Sequence, residues 1–286
     1  MYSDVAIFPD GAADMKNLAF LTSESNRHLP DLLSNQPHVN TLKENRSHQE
    51  DYMMNMECRP PAGKTFLTIG QDLFSIQEYL DEQFNASLHR NSTLPRSCFA
   101  PAAVMVYTDI QSLVGLDKPV DYGSGIEYAN GLLESVFQGQ DVGLQIGLWL
   151  NGTEGCRQVV KGQLNHQIER LFQYLQHCKA SIVFLRVGYE FDNPSFWYSD
   201  PPLYWQAFHW LVDACEQAKW SCHRKVKFVW HSWGATGSVA PLQTFYPGDD
   251  VVDWMVCQYS NKYSQICRLS MWNAFCRLLP TMKRQG

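Results

Sequence analysis

The sequence predicts an α/β fold of the (β/α)8 TIM-barrel type, incomplete at about six βα units and preceded by an irregular N-terminal extension. Two observations carry this. Six short, almost continuously apolar runs begin near Thr65, Ala102, Val142, Ile182, Val226 and Val251, at steps of 37, 40, 40, 44 and 25 residues. Between them lie segments with apolar residues at helical spacing. Continuous apolarity is what a strand buried on both faces requires, as in a parallel sheet, and strands alternating with helices imply right-handed crossovers.

Residues 1–62 are rich in Asn, Ser, His, Met and Pro and show no sustained period, so an irregular extension closing at Arg59-Pro60-Pro61 is expected. The second domain is 63–286, the barrel proper. Its strands read TFLTIG, AAVMVY, VGLQIGLWL, IVFLRVGY, VKFVWHSW and VVDWMVCQY. Leu164, Ile168, Leu171 and Leu175 form one helical stripe; Tyr204, Phe208, Leu211 and Cys215 form another behind Pro201-Pro202, where proline suits a first turn. Ile126, Leu133 and Val136 suggest a third helix. A doubly wound sheet is the competitor, but no Gly-x-Gly-x-x-Gly turn follows any strand.

The chain has 286 residues, a formal charge of -6 and no dense basic run, which disfavours nucleic acid as a partner. The apolar runs are strand-sized, short of the roughly 20 residues a membrane span needs. Aromatics reach 13%, with nine Trp, either as core filling or as flat platforms for sugar rings. Acceptors for N-glycosylation at Asn45, Asn85, Asn91 and Asn151 suggest a secreted glycoprotein whose leader is absent from this sequence. The nine cysteines are scattered, which suits buried small hydrophobes and one or two bridges. Cys215 and Cys222-His223 make the nearest approach to a metal pattern and lack a second Cys-x-x-Cys. No metal and no organic cofactor is expected.

Barrel chemistry gathers where strands end. Those ends supply Gln71 and Asp72, then Trp149, then Arg186, Tyr189, Glu190 and Asp192, then Trp230, His231 and Trp233, and last Tyr259. Carboxylates, amides and aromatic rings on one rim are what polysaccharide hydrolysis needs. A carboxylic acid must stay protonated until it gives its proton to the leaving oxygen, and the aromatic neighbours Tyr189, Phe191 and Trp197 would desolvate Glu190 toward that state. Each residue also has a plainer reading. Arg186 and Glu190 can be a buried ion pair, Asp192 a turn residue before Asn193-Pro194, His231 a hydrogen-bonded wall, and Trp230 and Trp233 packing.

Arg186-x-x-Tyr189-Glu190, followed by Phe196-Trp197-Tyr198, resembles the strand-4 signature of glycoside hydrolase family 26. FLRVGYEFDNP, KFVWHSWGA and FYPGDDVVDW extend the likeness over about residues 64 to 260. The resemblance implies a retaining β-glycanase, endo-β-1,4-mannanase-like, with Glu190 as acid/base and a nucleophilic Glu ending strand 7. Family mannanases place His before the acid/base, where this chain has Tyr189. Residues 261–286 contain no Glu or Asp, so the strand-7 nucleophile is expected to be missing and the edge of strand 6 exposed. The alternative is a catalytically inactive protein that binds a β-glycan on an aromatic rim of Trp149, Trp197, Trp230, Trp233 and Tyr259.

Overall fold

The computed structural model describes residues 3–7, 67–70, 72–80, 101–123, 125–217, 225–233 and 242–259, with residues 3–7 and 257–259 described as backbone. The elements along the chain are β1 (Ser3–Ile7), β2 (Thr68–Ile69), α1 (Leu73–Tyr79), β3 (Ala103–Asp109), β4 (Val120–Asp121) and β5 (Ile126–Glu127). They continue with α2 (Ala129–Gly131), β6 (Gly143–Trp149), α3 (Gly152–Val160), α4 (Asn165–His177), β7 (Val183–Val187), α5 (Pro201–Gln217), β8 (Val226–Ser232) and β9 (Trp254–Tyr259).

One sheet runs β1-β9-β8-β7-β6-β3-β2. Strands β2, β3, β6, β7, β8 and β9 are parallel and neighbour one another in chain order. This is the arrangement of an incomplete α/β barrel, and each parallel strand coincides with one of the six apolar runs, β3 running two residues past the end of its run. Sequential parallel neighbours follow from crossovers that return to the same edge each time.

Burial alternates along the strands and separates two faces. Val104, Val106, Leu144, Ile146, Leu148, Val183, Leu185, Val187, Val226 and Phe228 are buried and join the core with α4 and α5. Tyr107, Asp109, Gln145, Trp149, Phe184, Lys227 and Trp254 are only partly covered and alternate with them, so they belong to the opposite, concave face. The helices bury the residues that the helical stripes pick out: Ile168, Leu171 and Leu175 on α4, and Tyr204, Phe208, Leu211 and Cys215 on α5. Each such fully buried apolar side chain contributes about 1.5–3 kcal/mol relative to exposure.

The structure departs from expectation in two places. The third helix does not begin at Ile126: Ile126 and Glu127 form β5, an antiparallel hairpin with β4. Helix begins only at Ala129, after Tyr128 in an extended conformation, and passes into a single π-helical turn at Leu132–Val136. Aromatic and β-branched residues before Ala129 favour extended backbone over helix. The second departure lies in the segment read as irregular. Residues 3–7 form β1, which pairs antiparallel with β9 from Ser3↔Tyr259 to Ile7↔Met255. That edge is the one expected to stand exposed.

Candidate active site

The parallel strands end on one rim, and β7 delivers the central loop to it. Gly188 follows β7 at φ 55°, where a Cβ would stand 2.7 Å from the Tyr204 ring. Only glycine tolerates both the conformation and the approach. Two residues later Glu190 also has positive φ, at 53°, a cost that non-glycine residues bear mostly where surrounding contacts fix the turn. Those contacts are present. The Glu190 amide donates to the His231 carbonyl at 2.9 Å, and the Asn193 side-chain amide donates to Glu190 Oε2 at 2.8 Å. Glu190 is partly exposed, as a proton donor to an external substrate must be.

Beside Glu190 lies a layered stack. The Arg186 guanidinium sits 5.1 Å from the centre of the Tyr107 ring and 5.6 Å from that of Tyr189, and the two rings are 5.0 Å apart. Phe196 closes on Tyr189 at 5.2 Å and on Trp149 at 6.5 Å. Arg186 is fully buried, and its Nη2 donates to Met105 Sδ at 3.0 Å. Gly147 makes the crossing possible, since a Cβ there would meet the Tyr107 ring at 2.4 Å and Arg186 Nη2 at 3.0 Å. Burial pushes the Tyr189 hydroxyl well up, with the Tyr107 hydroxyl adding to it and Arg186 opposing, so Tyr189 is a neutral hydrogen-bonding group.

Asp192 and His231 brace the rim. Asp192 is buried and accepts from Ser232 Oγ at 2.7 Å and from the Trp233 amide at 2.5 Å, which ties the β7 loop to the end of β8. His231 is buried too, with Nδ1 at 3.3 Å from the Glu190 amide. Asp72 caps α1, accepting from the amides of Phe74 and Ser75 at 2.8 and 3.0 Å and from Ser75 Oγ at 2.8 Å.

The tryptophans divide. Trp197 is 69% exposed next to the Glu190 turn, as a platform requires. Trp149 is half-buried at the end of β6, with its Nε1 enclosed and without a hydrogen-bond partner among the described residues. Trp230, in contrast, is fully buried, stacked on Phe191 at 4.9 Å and donating through Nε1 to the Phe245 carbonyl. It lies in the core between the sheet and its covering helices and presents no surface to a sugar. Trp233 is half-buried at the end of β8, and its amide serves Asp192. Tyr259 ends β9 opposite Ser3. Gln71 lies outside the described residues, as do Asn45, Asn85, Asn91, Cys222 and His223.

Sequence reasoning passed over Glu127. Its side chain is 1% exposed, and its Oε2 accepts from the Tyr107 amide at 2.9 Å. Burial, with the Asp72 and Asp121 charges, pushes its carboxyl up to about 8, against the Tyr107 amide and Arg186, which pull it down. The available signal was a lone Glu inside Ile126-Glu127-Tyr128-Ala129, where an acid among apolar neighbours has to be either exposed or specifically held.

Among the described residues no group of three or more His, Cys, Asp or Glu stands together to hold a metal ion, and no helix is long and apolar enough to cross a membrane. Cys215 is disulfide-bonded, while Cys156 and Cys178 are free.

No family model matches the chain. It is 29% identical over 201 residues to the Vibrio sp protein named beta-1,3-xylanase TXYA, and 27% identical over 201 residues to an Alcaligenes sp beta-1,3-xylanase. Each alignment takes in 70% of this chain and 38% of the relative, so the chain spans well under half the length of the curated relatives it matches. Both relatives are named as xylanases and neither as a mannanase. The likeness is thus to glycoside hydrolases of β-linked polysaccharides.

Proposed function

We propose that this rim binds a β-linked polysaccharide and that Glu190 is the carboxylic acid that protonates the departing glycosidic oxygen. The observation that carries this reading is the Glu190 turn itself: a positive-φ glutamate at the end of β7, anchored by its backbone to His231 and flanked by the Arg186–Tyr189 stack. Backbone strain held in place by neighbours is a mark of functional turns. The two xylanase relatives support β-1,3-xylan as the first substrate to try, ahead of the β-1,4-mannan that the strand-4 signature implies.

In the proposed reaction a pyranose lies against the exposed Trp197, with its leaving oxygen toward Glu190. Asn193 fixes the rotamer of the acid through Oε2. Arg186, Tyr189 and His231 keep the wall rigid, so proton transfer occurs at one position. A retaining course needs a second carboxylate about 5–5.5 Å away. The disulfide at Cys215 supports a secretory setting, since such bonds persist in oxidising compartments. Of the four glycosylation acceptors only Asn151 lies among the described residues. Its Oδ1 is buried, which argues against its use.

The test is a panel of β-glycans, with β-1,3-xylan first and mannan second, offered to the chain and to Glu190→Gln. Release of reducing ends by the native chain alone identifies Glu190 as the acid. Retardation of both proteins in a glycan gel, with no release from either, identifies a binding protein. Neither release nor retardation with any glycan rejects the reading.

A further inference from the structure

Among the described residues β2 pairs with Ala103 and Val104, and farther along β3 the amide of Tyr107 takes a side-chain acceptor. Glu127 provides it from the β4–β5 hairpin. A strand amide met by a buried carboxyl is by itself a structural role. What lies beyond the Tyr107 amide gives it more reach. The ring of Tyr107 lies against Arg186 at 5.1 Å and Tyr189 at 5.0 Å, and Tyr189 directly precedes Glu190. Glu127 is therefore joined to the candidate acid through one continuous chain of contacts: carboxyl, Tyr107 backbone, Tyr107 ring, guanidinium, Tyr189 ring.

Resting on the reading of the Glu190 rim as a glycan site, we propose that Glu127 is a positioning residue for it, and that the Glu127 carboxyl sets the placement of the Arg186–Tyr189 stack in its neutral form and displaces it when ionised. The charged and titratable groups around Glu127 favour this division. Asp72 at the cap of α1 and Asp121 on β4 repel a negative charge, Arg186 on β7 attracts one, and Tyr107 on β3 offers its amide. The Tyr122 and Tyr189 hydroxyls both feel the charge of Glu127. On ionisation the guanidinium gains an attraction that competes with its seat between the Tyr107 and Tyr189 rings, while two carboxylates oppose the new charge. Water cannot relieve that conflict at a site 1% exposed.

NMR of the intact chain between pH 6 and 9.5 tests this without any glycan. In the native protein the Tyr107 amide proton is expected to shift with a midpoint near 8, and the Tyr189 ring signals, assigned with Tyr189→Phe, follow with the same midpoint. Glu127→Gln keeps an oxygen acceptor without a charge and should leave both flat. A shift at Tyr107 with none at Tyr189 would reduce Glu127 to an edge acceptor and overturn the proposal. So would absence of any shift, or the same Tyr189 shift in Glu127→Gln. Retardation in a β-1,3-xylan gel over the same range separates the two readings. Weakening above pH 8 in the native chain but not in Glu127→Gln supports both. No retardation at any pH, with coupled NMR shifts, removes the glycan reading and leaves the Glu127 coupling standing.

Discussion

The backbone nitrogen of Glu190 meets His231 twice, donating to its carbonyl oxygen at 2.9 Å and standing 3.3 Å from its ring Nδ1. One residue of β8 thus holds the amide of a left-handed turn that ends β7. The ring contact requires Nδ1 to be without a proton, because it accepts. His231→Ala retains the carbonyl bond and removes only the ring. The expected cost is about 1–2 kcal/mol in stability from a lost buried contact, read as a lowered urea midpoint. Hydrolysis, if present, should fall further than glycan retention, since the placement of the acid is affected more than the platform.

Gly147 lets two large side chains cross the concave face where its own would be. Gly147→Ala puts a Cβ 2.4 Å from the Tyr107 ring and 3.0 Å from Arg186 Nη2, distances that force the stack to move. Overpacking of this kind costs about 1–3 kcal/mol. The variant should stay folded by far-UV circular dichroism while its near-UV tyrosine signal changes and its glycan retention weakens. Unchanged tyrosine signals would show that the stack has slack.

Asp192 ties two loops by accepting from Ser232 Oγ and the Trp233 amide. Asp192→Ala leaves a buried hydroxyl and an amide without this acceptor, at about 2 kcal/mol. Ser232→Ala removes the Oγ bond to Asp192 and leaves the Trp233 amide bond in place, and should cost about 1 kcal/mol. Equal losses in the two variants would mean that the Trp233 amide bond contributes nothing.

The order of strands was legible because each parallel strand is buried by the helix layer, and a strand covered this way shows itself as an apolar run. Tyr204, Phe208, Leu211 and Cys215 were legible for a related reason: helical spacing survives in the sequence. Sidedness at strand ends is not written there. Trp197 comes after the end of β7 and Trp230 lies within β8, and both belong to the expected aromatic sugar rim, yet one is 69% exposed and the other fully buried. The difference depends on which way the chain turns after β7 and which phase β8 adopts, and both are tertiary outcomes. Glu127 was hidden for another reason. Its partner Tyr107 is 20 residues away, and the apolar runs do not reveal that the Tyr107 amide takes a side-chain acceptor. β1 was missed because five residues paired with a strand about 250 positions later have no local period to detect.

That contrast between tryptophans gives a paired prediction. Trp197→Ala should change stability by no more than about 0.5 kcal/mol, as for exposed sites generally. It should weaken glycan retention about three- to tenfold, the worth of one aromatic contact. Trp230→Ala should cost about 3–5 kcal/mol through the cavity left beneath Phe191 and Tyr246. Trp230→Phe, which keeps the ring stack, should recover most of that and leave retention intact. Loss of retention in Trp230→Phe at full stability would place this residue in the site after all.

Glu127 also makes the stability of the fold depend on pH, with a definite sign. Its carboxyl is raised from 4.5 to about 8 in the folded chain, chiefly by burial. Between those values the folded state holds the proton and the unfolded state has released it. The unfolded chain therefore binds fewer protons, and the contribution of this group to stability declines as pH rises from 4.5 toward 8. Above about 8 both states are ionised and the contribution levels off. Glu127→Gln carries no titrating proton, keeps an oxygen acceptor for the Tyr107 amide, and should flatten this part of the curve. Urea unfolding at pH 5, 6.5 and 8 measures it. The native chain should lose more of its urea midpoint across that series than the variant does, with the gap opening steadily. Parallel declines in the two proteins would mean that Glu127 is already ionised at pH 5, with Arg186 and the Tyr107 amide outweighing its burial.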